Sequence, residues 1–263
     1  MNTEIKRHFV LIHGSCHGAW CWYKIIALLK SAGHEVTALD MAASGIHPKQ
    51  VHELDSVTDY YEPLIEFLRS LPQDQRVILV GHSLGGMCIS VAMELFPKKI
   101  AAAVFVTAFM PSPDLSYLSL LQENTQRIDS SLDTKIMLDD SPNDKRNGSM
   151  LFGPQFLATK LYQLSPPEDL SLALSLLRPA RSYGDEELLQ EKTKVTKDNH
   201  GTVAKVFIVC QQDKVLEHDF QLSMIERNPA NDVKVIVDAD HMPMFSKPKE
   251  LCAYLQEIAE TYY

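Results

Sequence analysis

Short apolar runs punctuate this chain at residues 9–12, 77–80, 101–107 and 204–210, the third closing on Thr107 and the fourth interrupted by Lys205. Residues 35–39 and 233–237 are two further extended, β-branched stretches. Runs of this length and branching suit strands, and the unbroken ones suit strands buried on both faces. Apolar residues at helical spacing lie between them. One set is Trp22, Ile25, Ile26 and Leu29, and a second is Tyr60, Leu64, Ile65 and Leu68. Others are Met87, Ile89, Val91 and Leu95, and near the C-terminus Leu251, Tyr254, Leu255 and Ile258. The spacing predicts helices over 20–30, 56–70 and 248–261, one directly after residue 83, and a short one near 218–226. Strands alternating with helices predict an α/β fold: a mainly parallel sheet with helices on both faces.

The alternation stops after residue 107. Residues 109–181 hold no continuous apolar strand, but they contain Pro111, Pro113, Pro142, Pro154, Pro166 and Pro167 and a polar stretch at 139–147. Helical pieces are expected near 156–164 and 168–177. An insertion of this length at the edge of a sheet is usually functional. The expected organisation is a core of residues 1–107 and 182–263 with a cap, residues 108–181, inserted into it.

Composition narrows the classes. A net charge of −9 over 263 residues argues against nucleic acid and anionic membranes as partners. The N-terminus lacks the basic start and long apolar stretch of a signal peptide, and no segment nears the roughly 20 apolar residues of a membrane span. The five cysteines are odd in number and fit no zinc spacing, so they read as free thiols in a reducing, cytoplasmic setting. No metal motif and no glycine-rich nucleotide fingerprint is present, and no cofactor is expected.

The chemistry centres on Gly81-His82-Ser83-Leu84-Gly85, a G-x-S-x-G between a strand and a helix. In that context the pentapeptide reads as a nucleophile elbow, with Ser83 at the C-terminal edge of the sheet. A serine hydroxyl needs a base, and the base needs a carboxylate to hold its tautomer. His241 follows the strand at 233–237 and Asp213 follows the strand at 204–210. Ser83, Asp213 and His241 thus stand in the Ser…Asp…His order of α/β hydrolases. Asp238 and Asp240 are rival acids, too close to His241 in sequence to reach the correct ring nitrogen. The oxyanion donors are expected to be the backbone N–H groups of Leu84 and of Ser15, which follows His13-Gly14.

These residues resemble the plant methylesterase and hydroxynitrile lyase group. The resemblance rests on 9–14 (Phe-Val-Leu-Ile-His-Gly), Cys16-His17-Gly18-Ala19-Trp20, Gly33-His34 and Ala42-Ala43-Ser44-Gly45. It continues through the stretch ending Gly81-His82-Ser83, then Phe152-Gly153-Pro154, Leu161-Tyr162-Gln163, Pro167-Glu168-Asp169-Leu170 and Asp240-His241-Met242. It implies an α/β-hydrolase fold with a cap, no cofactor, a cytosolic setting, a small-molecule ester substrate and often a homodimer. Lyases of the group carry a threonine after the first-loop histidine and a lysine after the catalytic one. Here those positions are Gly14 and Met242, which favours an esterase acting on methyl esters of small plant metabolites over a hydroxynitrile lyase. A binding protein that keeps the fold is the further alternative, disfavoured by the intact Ser83, Asp213 and His241.

Salicylate-binding members carry a cap tryptophan, whereas the only tryptophans here are Trp20 and Trp22, and Ile136-Met137-Leu138 stands at the corresponding place. The substrate pocket is expected to be lined by Gly14, His82, Phe109, Met110, Met137, Leu138, Phe156, Leu216 and Met242, beside Leu84.

Overall fold

A computed structural model describes residues 6–128, 130–139 and 147–263. The N-terminal half alternates strictly: β1 (His8–Ile12), α1 (Tyr23–Ser31), β2 (Glu35–Leu39), α2 (Val57–Ser70), β3 (Val77–Ser83), α3 (Gly85–Leu95) and β4 (Ile100–Ala108). A 3-10 turn, Ala19–Trp22, leads into α1. Next come α4 (Tyr117–Arg127), β5 (Lys135–Leu138), β6 (Gly148–Leu151), α5 (Pro154–Phe156), α6 (Pro167–Leu176), β7 (Ala180–Ser182) and α7 (Glu186–Lys192). The sheet pattern resumes with β8 (Lys205–Cys210), α8 (His218–Arg227), β9 (Asp232–Ile236), α9 (Pro243–Ser246) and α10 (Pro248–Tyr262). Ser56 caps α2 by accepting from Thr58 N–H, while the Asp59 carboxylate reaches back to Ser56 N–H, which fixes where that helix begins.

The main sheet runs β2-β1-β3-β4-β8-β9, and every pairing in it is parallel. Because side chains alternate across a strand, each central strand feeds two cores. Val10, Ile12, Leu79, Phe105 and Phe207 pack on one face of the sheet. Phe9, Leu11, Ile78, Val80, Val104 and Ile208 pack on the other. Apolar residues at every position are the sequence consequence of burial on both faces. The chain steps from β1 outward to β2, then returns to β3 on the other side of β1. The carboxyl ends of β1 and β3 therefore flank the switch point where α/β sheets open a crevice. The loop carrying Ser15 and the elbow carrying Ser83 leave from those two ends.

The fold class meets the sequence expectation, and one part of the insertion does not. Residues 135–138, 148–151 and 180–182 form a second, antiparallel sheet in the order β5-β6-β7. The sequence showed no strand there because these are three- and four-residue pieces with few β-branched side chains. Their register comes from tertiary pairing rather than local pattern. Most of the polar stretch at 139–147 lies outside the described residues. The expected helix near 156–164 is the short α5 continued by a wider π turn, Leu157–Leu161.

Candidate active site

Ser83 ends β3 with φ of 53°, the left-handed region that a non-glycine residue enters at a cost of roughly 1–3 kcal/mol. Neighbouring glycines permit the turn. A Cβ on Gly81 would lie 2.7 Å from the Gly85 carbonyl oxygen, and one on Gly85 would lie 2.7 Å from the Ile12 carbonyl oxygen. The strand-to-helix reversal is thus packed backbone against backbone, and α3 begins at Gly85 with its free N–H groups beside Ser83. A Cβ on Gly14 would meet the Ser83 Cβ at 2.9 Å, so the first loop lies directly against the elbow.

His241 and Asp213 meet from separate loops. His241 Nδ1 lies 2.6 Å from Asp213 Oδ2, and both side chains are buried. A carboxylate only accepts, so Nδ1 carries the proton and Nε2 keeps a lone pair, the tautomer a general base requires. Asp213 is held by three more donors. Val215 N–H and Leu216 N–H donate to Oδ1, and the Thr107 hydroxyl donates to Oδ2 at 2.5 Å.

Thr107 was not among the expected site residues, although its hydroxyl stands out at the end of the apolar run from Ile100. Thr107→Val is expected to lower kcat about tenfold with KM within twofold, while Thr107→Ser keeps the donor and the rate; steady-state kinetics on both variants checks this. The rival acids are placed elsewhere. Asp240 accepts from Leu164, Ser165 and Met242, and Asp238 is near Lys247 at 3.4 Å.

Three buried histidines fix the surrounding backbone. His13 Nδ1–H donates to the Gly14 carbonyl at 2.8 Å, while its Nε2 accepts from Met41 N–H. That carbonyl belongs to the same peptide as the Ser15 N–H, and a trans peptide points the two in opposite directions. Holding one therefore aims the other. His17 Nδ1–H donates to the Ser15 carbonyl at 2.8 Å and accepts at Nε2 from the Tyr162 hydroxyl at 2.6 Å. His82 Nε2–H donates to the His241 carbonyl at 2.7 Å, its ring 4.7 Å from the His241 ring. Burial pushes His17 down to about 3. Burial also lowers His13 and His82, in His82 with the nearby His241 adding to it. His200, buried beneath α3 near Lys205, falls to about 4.

These depressed values set a sign for stability against pH. Above pH 6.5 these rings are neutral in both states, and their contribution is complete. As pH falls below 6.5 the unfolded chain takes up protons that the folded rings refuse, so stability drops through the window down to about 4 for His200 and about 3 for His17. Melting temperatures stepped from pH 7 to pH 4 should fall steadily, with proton uptake on unfolding; a flat profile would contradict the neutral clamps.

A cavity of about 260 Å³ opens beside the elbow. Ser15 and Leu84 border it, with Tyr60, Met87, Tyr117, Leu121, Met150 and Tyr183 among the other walls. Of the residues expected to line the pocket, Leu84 does so. Gly14 packs on Ser83, and His82 bonds to the His241 loop. Met137 and Leu138 do not line it: they are 44% and 69% exposed on β5. Phe109, Met110 and Leu216 are buried in one core, and Phe156 and Met242 in the core on the opposite face of the sheet. The apolar identity of these residues was legible, but not the face they occupy. An open groove of about 640 Å³ bordered by Leu132, Pro154 and Lys160 shares no residue with the constellation. Among the described residues no group of His, Cys, Asp or Glu is arranged to hold a metal ion, and no helix is long and apolar enough to cross a membrane.

Residues 9–254 match the profile of the Alpha/beta hydrolase family. The chain is 56% identical to Methyl jasmonate esterase 1 of Vitis vinifera, over 98% of each chain. It is 46% identical to Salicylic acid-binding protein 2 of Nicotiana tabacum, over 97% of this chain and 98% of that one. Among solved structures, tomato Methylketone Synthase I complexed with 2-tridecanone superposes with a TM-score of 0.93 at 44% identity, covering 98% of this chain and 100% of the other. Polyneuridine aldehyde esterase follows with 0.91 at 40% identity, covering 97% and 100%.

Proposed function

This chain belongs to the alpha/beta hydrolase family, within its group of plant methylesterases, and from that premise we propose that it hydrolyses methyl esters of small plant acids through a Ser83 acyl-enzyme. The observation that carries the reading is the 2.6 Å pairing of His241 with Asp213, delivered by the loops after β9 and β8 to the sheet edge where the strained Ser83 ends β3. Ser83 Oγ attacks the ester carbonyl carbon while His241 Nε2 takes its proton. The tetrahedral oxyanion accepts from the backbone N–H groups of Ser15 and Leu84, and the His13 bond to the Gly14 carbonyl restrains the first of them. Collapse expels methanol, protonated by His241. Water, deprotonated by the same nitrogen, then releases the acid and restores Ser83.

The acyl group occupies the cavity that borders Ser15 and Leu84. Its walls from Met87, Leu121, Met150 and Leu189 favour a small, mostly apolar acid. Tyr117, Leu121, Met150 and Arg181 come to that cavity from the stretch 108–181, which supports its role as the cap. Five unpaired, buried cysteines support a cytosolic setting. Where the acid released is a β-keto acid, loss of carbon dioxide follows without further protein groups.

The test is methanol release from a panel of methyl esters: jasmonate, salicylate, indole-acetate and an alkaloid β-keto ester. Turnover of at least one, with methyl jasmonate leading, is the expected result. Turnover of none overturns the reading, and cyanide release from mandelonitrile instead would replace it with a lyase.

A further inference from the structure

The loops bearing the oxyanion donor, the acid and the base are far apart in sequence, yet one short stretch of the insertion bonds to all three. Tyr162 reaches the first loop, its hydroxyl donating to His17 Nε2, and His17 in turn donates to the Ser15 carbonyl. Gln163 reaches the second, its Nε2 donating to the carbonyl of Gln212, the residue before Asp213, at 2.7 Å. Leu164 N–H and the Ser165 hydroxyl reach the third, donating to Asp240 Oδ2 at 2.9 and 2.8 Å. Asp240 precedes His241, and its other oxygen accepts from Met242 N–H at 3.0 Å. A turn bond from Ser165 N–H to the Tyr162 carbonyl at 3.1 Å holds the four residues in one compact unit.

The stretch therefore behaves as one body with three anchors. Asp240 is fully buried, and the bonds found to it come from three neutral donors. A buried carboxylate that loses a donor must move or draw in water. Two of those donors sit on the insertion and one on the residue after His241. Tyr162 is equally committed, its ring stacked on Phe245 at 5.6 Å and on His17 at 5.9 Å. The Gln212 N–H also donates to the Ala239 carbonyl, so the second and third loops are tied to each other as well.

We propose that residues 162–165 form a clasp that sets the relative placement of the Ser15, Asp213 and His241 loops, making Tyr162 and Ser165 positioning residues. This rests on the acyl-transfer reading above. Seating of the insertion and assembly of the reacting groups then become one event, because the same hydrogen bonds serve both. Near-attack geometry tolerates little error, so a small shift of one loop is costly to the chemical step and nearly silent in substrate binding.

The experiment measures the rate of Ser83 labelling by a fluorophosphonate, with kcat, KM and melting temperature, in Tyr162→Phe, Ser165→Ala and the double variant. Tyr162→Phe keeps the stacked ring, and Ser165→Thr keeps a hydroxyl as the rescue. Ser171→Ala is the control, since its hydroxyl donates only to Pro167 of its own helix. The expected result is a labelling rate and kcat about tenfold lower for each single variant, a double variant that falls well short of the roughly hundredfold product because the two act as one unit, KM within twofold, and recovery in Ser165→Thr. Labelling and kcat that stay at the wild-type level while the melting temperature falls would overturn the clasp and leave a merely structural role. Wild-type protein that labels at Ser83 but turns over no ester would sink the ester reading alone, and the labelling rates still decide the clasp. Wild-type protein that does not label at Ser83 would sink both.

Discussion

Ser83→Ala is expected to lower ester hydrolysis by a factor of about 10⁴ or more while leaving the fold intact. Removing one oxygen deletes the atom proposed to form the acyl-enzyme, and no other hydroxyl stands on the elbow to replace it. The residual rate would come from the oxyanion donors and the cavity alone, holding ester and water together. The backbone angle makes the companion variant informative. Ser83 holds φ of 53° without being glycine. Ser83→Gly should therefore be equally inactive but more stable by about 1 kcal/mol, because it relieves strain that the serine bears only for its position. Methanol release and denaturant unfolding on the two variants separate the effects. An alanine variant retaining more than about a hundredth of the wild-type rate would remove Ser83 from the reaction.

Asp213→Asn should cost nearly as much, about 10⁴ in kcat, through hydrogen-bond logic rather than lost shape. The amide must present one oxygen and one NH₂ to four groups that all donate now. Val215 N–H and Leu216 N–H cannot become acceptors, so the amide oxygen is held on their side. The NH₂ then faces Thr107 and His241. The threonine hydroxyl can rotate to accept. His241 can accept only by giving up the proton on Nδ1, which moves it to Nε2, the nitrogen proposed to take the proton from Ser83. Imidazole nitrogen shifts in labelled protein report the tautomer directly, and the rate should fall with the proton found on Nε2. A variant with the proton still on Nδ1 and an unchanged rate would mean that Asp213 does not orient the base.

The glycines of the elbow, the apolar runs of the buried strands and the placement of Asp213 and His241 just after β8 and β9 were all legible in the residues. Each is a local rule: small residues where backbones touch, unbroken hydrophobicity where both faces are covered, polar groups where a strand ends. Thr107 was legible only as an oddity, because its partner is remote in sequence. The cavity walls were not legible. Met137 and Leu138 stand where the resemblance places a cap tryptophan, but β5 is the edge strand of its small sheet and is exposed at all four positions. Met242 and Phe156 turn into the core on the opposite face of the sheet from Phe109.

The sequence by itself determined the parallel sheet, the elbow at Ser83 and the placement of Asp213 and His241 after successive strands, since these follow from local backbone chemistry and from alternation between strand and helix. Tertiary structure alone decided which side chains enclose the cavity, which histidines stay neutral as backbone clamps, and that residues 162–165 touch the Ser15, Asp213 and His241 loops together. The physical reason is range. Periodicity and glycine spacing act within a few residues, whereas burial and hydrogen-bond partnership are properties of groups brought together from 145 residues apart, as His17 and Tyr162 are.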